Sequence, residues 1–255
     1  MDGQIEILSP PIENNHPKIL TFRCPIRSFS IEEVVLAEVD EVSTFVVQKR
    51  RDEHLSGRWL LAQALSHWGL SPNELQVRRN EFRAPSLAFI HGVWKNIDLP
   101  SISIGHSEGW AYVALIESGW TIGIDGEKSD RKIAANAFDM MASGIELENL
   151  RANPEMAIQT WTAKESVQKA LRLGMNLNPR KIEFPIGVKK ANFSIENLNF
   201  QLVSWTHKDS HISLTWGRGI GYDSVPEDEL LKQTRLAMES SQDWGVGCKT
   251  TRNNS

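Results

Sequence analysis

The chain has 255 residues, 40% of them hydrophobic and 24% charged, and a formal net charge of −4. That length carries one large domain or two small ones with ample material for a core. The mild acidity argues against a nucleic-acid or membrane-surface protein, since both usually need an excess of Lys and Arg. No stretch reaches the apolar length of a membrane span, and the polar, Pro-containing start MDGQIEILSPPIENNHPK has no apolar signal core. Cys24 and Cys248 lie far apart and in no metal-like spacing, which suggests a reducing compartment; a cytoplasmic location is the expectation.

In chain order, residues 1–17 read as a loose arm. KILTFRCPI (18–26) alternates as a strand does. IEEVVLAEVD (31–40) is a short amphipathic segment. A helix is expected from near Val42 to Trp68, because Leu55, Trp59, Leu60, Ala62 and Leu65 recur at helical spacing, and Gly69 and Pro72 stop it. LQVRRNEF (75–82) reads as a strand before a turn at Ala84-Pro85. Residues 101–125 read as two strands around Ser118-Gly119, with a Gly-rich break from Gly105 to Gly109 ahead of AYVALI.

The second half repeats this plan. A helix over Met156–Leu173 ends at Gly174, and Pro179 and a strand KIEFPIGV follow. The first half offers the same succession: a helix ending at Gly69, then Pro72, then LQVRRNEF. The pattern fits an internal duplication, although the same succession is common by chance. FSIENLNFQLVSW and HISLTWG read as antiparallel strands, PEDELLKQTRLAMES as a terminal helix, and 242–255 as a disordered tail. The fold class expected is α+β, with two pseudo-symmetric subdomains, 18–120 and 121–241. Each is a small antiparallel sheet packed with helices, and the active site lies in the cleft between them.

The chemistry concentrates in two stretches. In TIGIDGEKSD (121–130), Asp125 and Glu127 are two apart on a strand and so share a face. Two like charges side by side repel unless something positive lies between them, and a divalent cation such as Mg²⁺ fits. A strand end running into solvent is the plainer alternative. In WTAKESVQKA (161–170), Trp161, Glu165 and Lys169 share one helix face. Glu165 and Lys169 fit a surface ion pair, or a third metal ligand beside a phosphate-binding amine.

Together these stretches resemble the 4′-phosphopantetheinyl transferases, and within them the larger, single-chain surfactin-type branch. The resemblance rests on Gly123-Ile124-Asp125-Gly126-Glu127 and, about 40 residues on, Trp161-Thr162-Ala163-Lys164-Glu165-Ser166-Val167-Gln168-Lys169. SISIGHSEGWAYVAL, with His106, and HLSGRWLLAQAL, with Gly57-Arg58, resemble two further family segments, so the similarity covers about residues 45–185. The chain departs from the family pattern at Arg83-Ala84-Pro85 in place of Gly-Lys-Pro, at Gly105 in place of Ser before His106, and at Gln63, where many members carry Arg.

The resemblance implies transfer of 4′-phosphopantetheine from coenzyme A to a Ser hydroxyl of an acyl or peptidyl carrier protein, with Mg²⁺, by a monomeric enzyme. It implies Asp125, Glu127 and Glu165 as metal ligands, and Lys169 with Lys164 as cations at the phosphates. Glu165, Glu127 or a water is the implied proton acceptor, and His106, Arg79, Arg83 and Arg51 are implied contacts of coenzyme A. Arg50 and Arg51 fit equally a solvated helix face. A catalytically idle binding protein of the same fold is the alternative function. An unrelated Mg²⁺-dependent phosphohydrolase would need a water-positioning cluster such as a His-x-Asp repeat, and the sequence has no such repeat. Residue chemistry leaves the fatty-acid, polyketide, polyunsaturated-fatty-acid and nonribosomal-peptide carriers equally open.

Overall fold

The protein is described from a computed structural model covering residues 5–13, 16–93, 95–195 and 198–219. The expected terminal helix, the tail and Cys248 lie outside the described residues. Among the described residues, ten strands form three antiparallel sheets. β1 (Glu6–Leu8), β2 (Ile19–Pro25), β5 (Ser101–Ser107) and β6 (Trp110–Ile116) make the first, in the order β1-β2-β6-β5. β7 (Trp120–Lys128), β8 (Lys190–Ile195), β9 (Leu198–His207) and β10 (Ser210–Arg218) make the second, in the order β7-β10-β9-β8. β3 (Leu75–Arg79) and β4 (Pro85–Phe89) form a separate hairpin. The helices are α1 (Val39–Ser43), α2 (Gln48–Trp68), α3 (Phe138–Met141), α4 (Gly144–Ala152) and α5 (Ala157–Ala170).

The two larger sheets share a topology. In each, a strand leads to a long helix, and the chain returns as a hairpin whose second strand pairs with the first: β2-β6-β5 against β7-β10-β9. Both hairpins turn through left-handed residues, Glu108 (φ 41°) and Gly109 in one and Lys208 (φ 53°) in the other. One apolar cluster joins α2 to the first sheet through Phe22, Leu61, Leu65 and Val113. A second joins α5 to the second sheet through Val167, Leu171, Phe200 and Leu202. A third, including Ile122, Ile124, Ala114, Ile212 and Trp216, lies between the sheets. The architecture is thus α+β, with small antiparallel sheets packed by helices. No helix among the described residues is long and apolar enough to cross a membrane.

Several sequence expectations need correction. Residues 6–8 are not part of a loose arm; they pair with β2, and buried Arg23 holds Glu6 at 2.9 Å. The helix expected from Val42 is two, because the chain leaves α1 at Thr44, whose hydroxyl donates to the Glu41 carbonyl, and α2 starts only at Gln48. It does end at Gly69, whose φ of 98° suits glycine; Leu70 then donates to the Leu65 carbonyl. Residues 101–125 hold three strands rather than two, so Gly105 and His106 lie within β5 and the break falls at Glu108-Gly109. Pro85 begins strand β4 instead of closing a turn. KIEFPIGV is not a strand: Ile182 and Phe184 are buried against the α5 cluster, and the Lys164 amine donates to the Ile182 carbonyl.

Candidate active site

β7 alternates strictly. Ile122 and Ile124 enter the core between the sheets, while Thr121, Gly123, Asp125 and Glu127 face α5. α5 rests almost on the strand itself. A Cβ at Gly123 would fall well inside contact with the Ser166 carbonyl oxygen and the Ala170 nitrogen. Small hydroxyl side chains line the rest of that interface: Thr162 meets Ser213 at 2.9 Å and Ser166 meets Thr215 at 2.7 Å. The Thr121 hydroxyl donates to the Ala170 carbonyl. On the opposite face the Tyr112 ring covers Gly126, where it would lie 2.6 Å from a Cβ.

This close approach brings the two sequence stretches together. Lys169 Nζ donates to Asp125 Oδ1 at 2.6 Å and lies 3.6 Å from Glu165 Oε2. Asp125 is buried, and its Oδ2 has no hydrogen-bond partner among the described residues. Burial pushes the Asp125 carboxyl well above its usual pKa; Lys169 opposes that rise and Glu165 adds to it. Burial alone would lower the Lys169 pKa, but Asp125 and Glu165 hold it above the usual value. Glu127 is also buried. Its Oε2 accepts from the Ser107 hydroxyl and pairs with Arg131 Nη1 at 2.6 Å.

Among the described residues, no three or more acidic, His or Cys side chains are already grouped as a metal site. Lys169 and Arg131 supply the positive charge instead. The donor set still suits Mg²⁺, since it consists of hard carboxylate oxygens and includes the unsatisfied Asp125 Oδ2.

Beside this cluster lies a cavity of about 480 Å³. Its basic wall comes from α2 (Arg50, Arg58), the β3–β4 hairpin (Arg79, Arg83) and α5 with the residues after it (Lys169, Arg172); His54, His106 and Glu53 also line it. Such a wall suits an anionic ligand. Glu41 anchors part of it, 2.6 Å from Arg79, 3.1 Å from Arg58 and 3.7 Å from His54. Arg79 and Arg58 hold the Glu41 carboxyl below its usual pKa despite burial. Burial, with Arg79 adding, lowers the Arg58 pKa to about 10, and burial with Arg58 lowers that of His54 to about 4.

His106 Nδ1 is 3.6 Å from Glu53 Oε2. Desolvation at the cavity wall lowers its pKa, against Glu53 and with Lys169. Next to it, Gly105 lies against the acidic cluster, where a Cβ would be 3.1 Å from Lys169 Nζ and 3.8 Å from Asp125 Oδ1. β5 of the first sheet therefore meets β7 and α5 at this place, and Lys169 belongs to both the cavity and the carboxylate cluster.

The structure thus brings together Asp125, Glu165 and Lys169, places Glu127 one alternation along β7, and puts His106, Arg79 and Arg83 on the cavity. It separates two residues from them. Lys164 is fully buried, and its amine reaches Glu146 at 2.7 Å, the Pro179 carbonyl at 2.9 Å and the Ile182 carbonyl. That placement corrects the expectation that it contacts coenzyme A. Arg51 does not line the cavity, whereas Arg50 does.

Sequence reasoning missed Glu41, His54, Arg58 and Arg172 on the cavity side, and Ser107 and Arg131 on the carboxylate side. Gly57-Arg58 was legible within a family-like segment. Arg131 is four residues past Glu127 and beyond the strand, where spacing carries no signal.

Residues 121–223 match the family model for the 4′-phosphopantetheinyl transferase superfamily (ACPS). The match covers β7, α5 and the second sheet, and with them Asp125, Glu127, Glu165 and Lys169. It supports a transferase acting on phosphopantetheine in general terms. No curated protein matches the chain.

Proposed function

We propose that the chain is a Mg²⁺-dependent enzyme of the surfactin type that moves 4′-phosphopantetheine from coenzyme A to a Ser hydroxyl of an apo carrier protein. One observation carries the reading: Lys169 links a buried carboxylate cluster to a basic cavity of nucleotide-binding size. In this reading the basic wall and His106 hold the phosphates of coenzyme A, and Lys169 lies where the pyrophosphate enters the cluster. Asp125, Glu127 and Glu165 would hold Mg²⁺, which when bound offsets charge on the leaving phosphate. Lys169 adds a second positive charge at the same place.

The carrier Ser oxygen forms a bond to the phosphorus next to the pantetheine arm. The bond from that phosphorus to adenosine 3′,5′-bisphosphate breaks, and the Ser proton passes to a carboxylate. Glu165 is the better acceptor of the two considered, because Glu127 already accepts from the Ser107 hydroxyl. We assign the first subdomain, β1 included, to 6–120 and the second to the described residues from 121 on, and the active unit to a monomer in the cytoplasm.

The test is incubation with coenzyme A, Mg²⁺ and a panel of apo carrier proteins, followed by intact mass. The reading requires one carrier to gain a single phosphopantetheine, and the same panel identifies the pathway. Coenzyme A binding without any mass gain across the panel would favour the idle binding protein instead.

A further inference from the structure

Glu127 differs from the other two carboxylates of the cluster in its partner. Asp125 and Glu165 share Lys169, a side chain of the helix that packs on the strand. Glu127 is paired with Arg131, which sits outside every sheet and helix among the described residues, in the segment that follows β7. The Arg131 side chain is 41% exposed, while that of Glu127 is 8% exposed. Arg131 therefore reaches inward from solvent to a buried carboxylate and can withdraw again at little packing cost.

A second acceptor for Arg131 is already in place. Its Nε lies 3.5 Å from Glu108 Oε1, at the tip of the β5–β6 turn. Glu127 does not depend on Arg131 for its orientation, because the Ser107 hydroxyl donates to the same oxygen. A cation entering from the Asp125 side would compete with Arg131 for Glu127, since two positive groups cannot share one carboxylate oxygen without repulsion.

We propose that Arg131 is a displaceable counter-cation: it occupies Glu127 when no divalent ion is bound, moves onto Glu108 when one binds, and so sets the affinity of the cluster for the ion. The inference rests on the metal-binding part of the proposed function. It gives Arg131 a positioning and gating role, without contact to coenzyme A. Both contacts are present at once, Nη1 on Glu127 and Nε on Glu108, so the travel is a shift of the guanidinium off the first carboxylate and wholly onto the second.

The test is direct binding of Mn²⁺, followed by electron paramagnetic resonance of the free ion, with and without saturating coenzyme A. Arg131→Gln should tighten Mn²⁺ binding about five- to tenfold, because a competing unit charge is gone. Glu108→Gln should weaken it about two- to threefold, since Arg131 then has only Glu127. In the double variant the effect of Glu108→Gln should vanish, because the carboxylate acts only through Arg131. Simple long-range attraction would leave that effect intact, and such additivity would overturn the travel of Arg131. Unchanged or weaker binding by Arg131→Gln, in a variant that melts like the parent, would overturn the counter-cation itself. If the parent binds Mn²⁺ no better than Asp125→Asn under either condition, the metal-binding reading fails first, and this inference fails with it.

Discussion

The two strand–helix faces of the molecule are built on one plan and filled in opposite ways. Counting from the hairpin turns, Leu20, Phe22 and Cys24 on β2 pair with Leu115, Val113 and Ala111. At the same steps on β7, Gly123, Asp125 and Glu127 pair with Thr215, Ser213 and His211. In the first half, these positions and the leucines of α2 form an apolar core, and the Cys24 thiol is so buried that its pKa rises to about 12. In the second half, glycine and small hydroxyl residues let α5 come down onto the strand, and carboxylates replace the phenylalanine and the cysteine. The first face is held by apolar area. The second gives up that area for a close contact that places Lys169 on Asp125. One copy of the plan thus supplies stability, and the other holds the candidate chemistry.

The comparison breaks most severely at Gly123. Gly123→Ala puts a methyl group into the backbone of α5, where no side chain can yield, so a loss of about 3 kcal/mol or more is expected, with loss of transfer activity. Denaturant unfolding checks this, and a variant as stable as the parent would mean that α5 does not rest on the strand. Phe22→Ala and Asp125→Asn then form a matched pair at equivalent positions. Phe22→Ala should cost about 3–5 kcal/mol of stability and leave the rate of the remaining folded enzyme near normal. Asp125→Asn should lower the transfer rate about a hundredfold, ~2.7 kcal/mol in the barrier, with a smaller change in stability, because Lys169 keeps Glu165. Equal effects of both substitutions on stability and on rate would erase the division between the two faces.

His106 belongs to the first half but lines the shared cavity. His106→Ala is expected to weaken coenzyme A binding about tenfold and to change kcat less, as a contact remote from the reacting bond does. Calorimetry with coenzyme A alone separates the two, and a change confined to kcat would remove that role.

The smallest effect concerns the seam between the halves. Glu6 on β1 contacts Arg23, and also His207 and Lys208 at the β9–β10 turn. Burial would raise its pKa, but Lys208, His207 and Arg23 together lower it from 4.5 to about 2. A depressed carboxylate stabilises the fold above its unfolded pKa, and that contribution disappears as the pH falls through the folded value. Glu6→Gln should therefore cost about 1–2 kcal/mol at pH 7. The difference from the parent should hold down to pH 4.5 and close between pH 4.5 and about 2. Urea unfolding across that range measures it, and a gap that widens toward acid would contradict the sign.

Much of this was readable from the chain alone. Strand alternation put Asp125 and Glu127 on one face, and helical spacing put Glu165 and Lys169 on another, because both periods are properties of the local backbone. Gly69 ended α2 because left-handed geometry is a local demand. Other features needed distant partners. Gly105 and Gly109 hid strand β5, since a glycine weakens the strand signal whether or not a neighbouring strand completes the ladder. Lys164 and Lys169, five residues apart on the same helix, looked alike in sequence. Only the packing of α4 and of the segment after Pro179 consumed the first, and only the missing side chain at Gly123 carried the second to Asp125. The sequence by itself determined which residues carry charge and which local faces they share. The tertiary structure decided which charges meet, because a pairing of Arg131 with Glu127, or of His106 with Glu53, depends on where whole strands and helices come to rest.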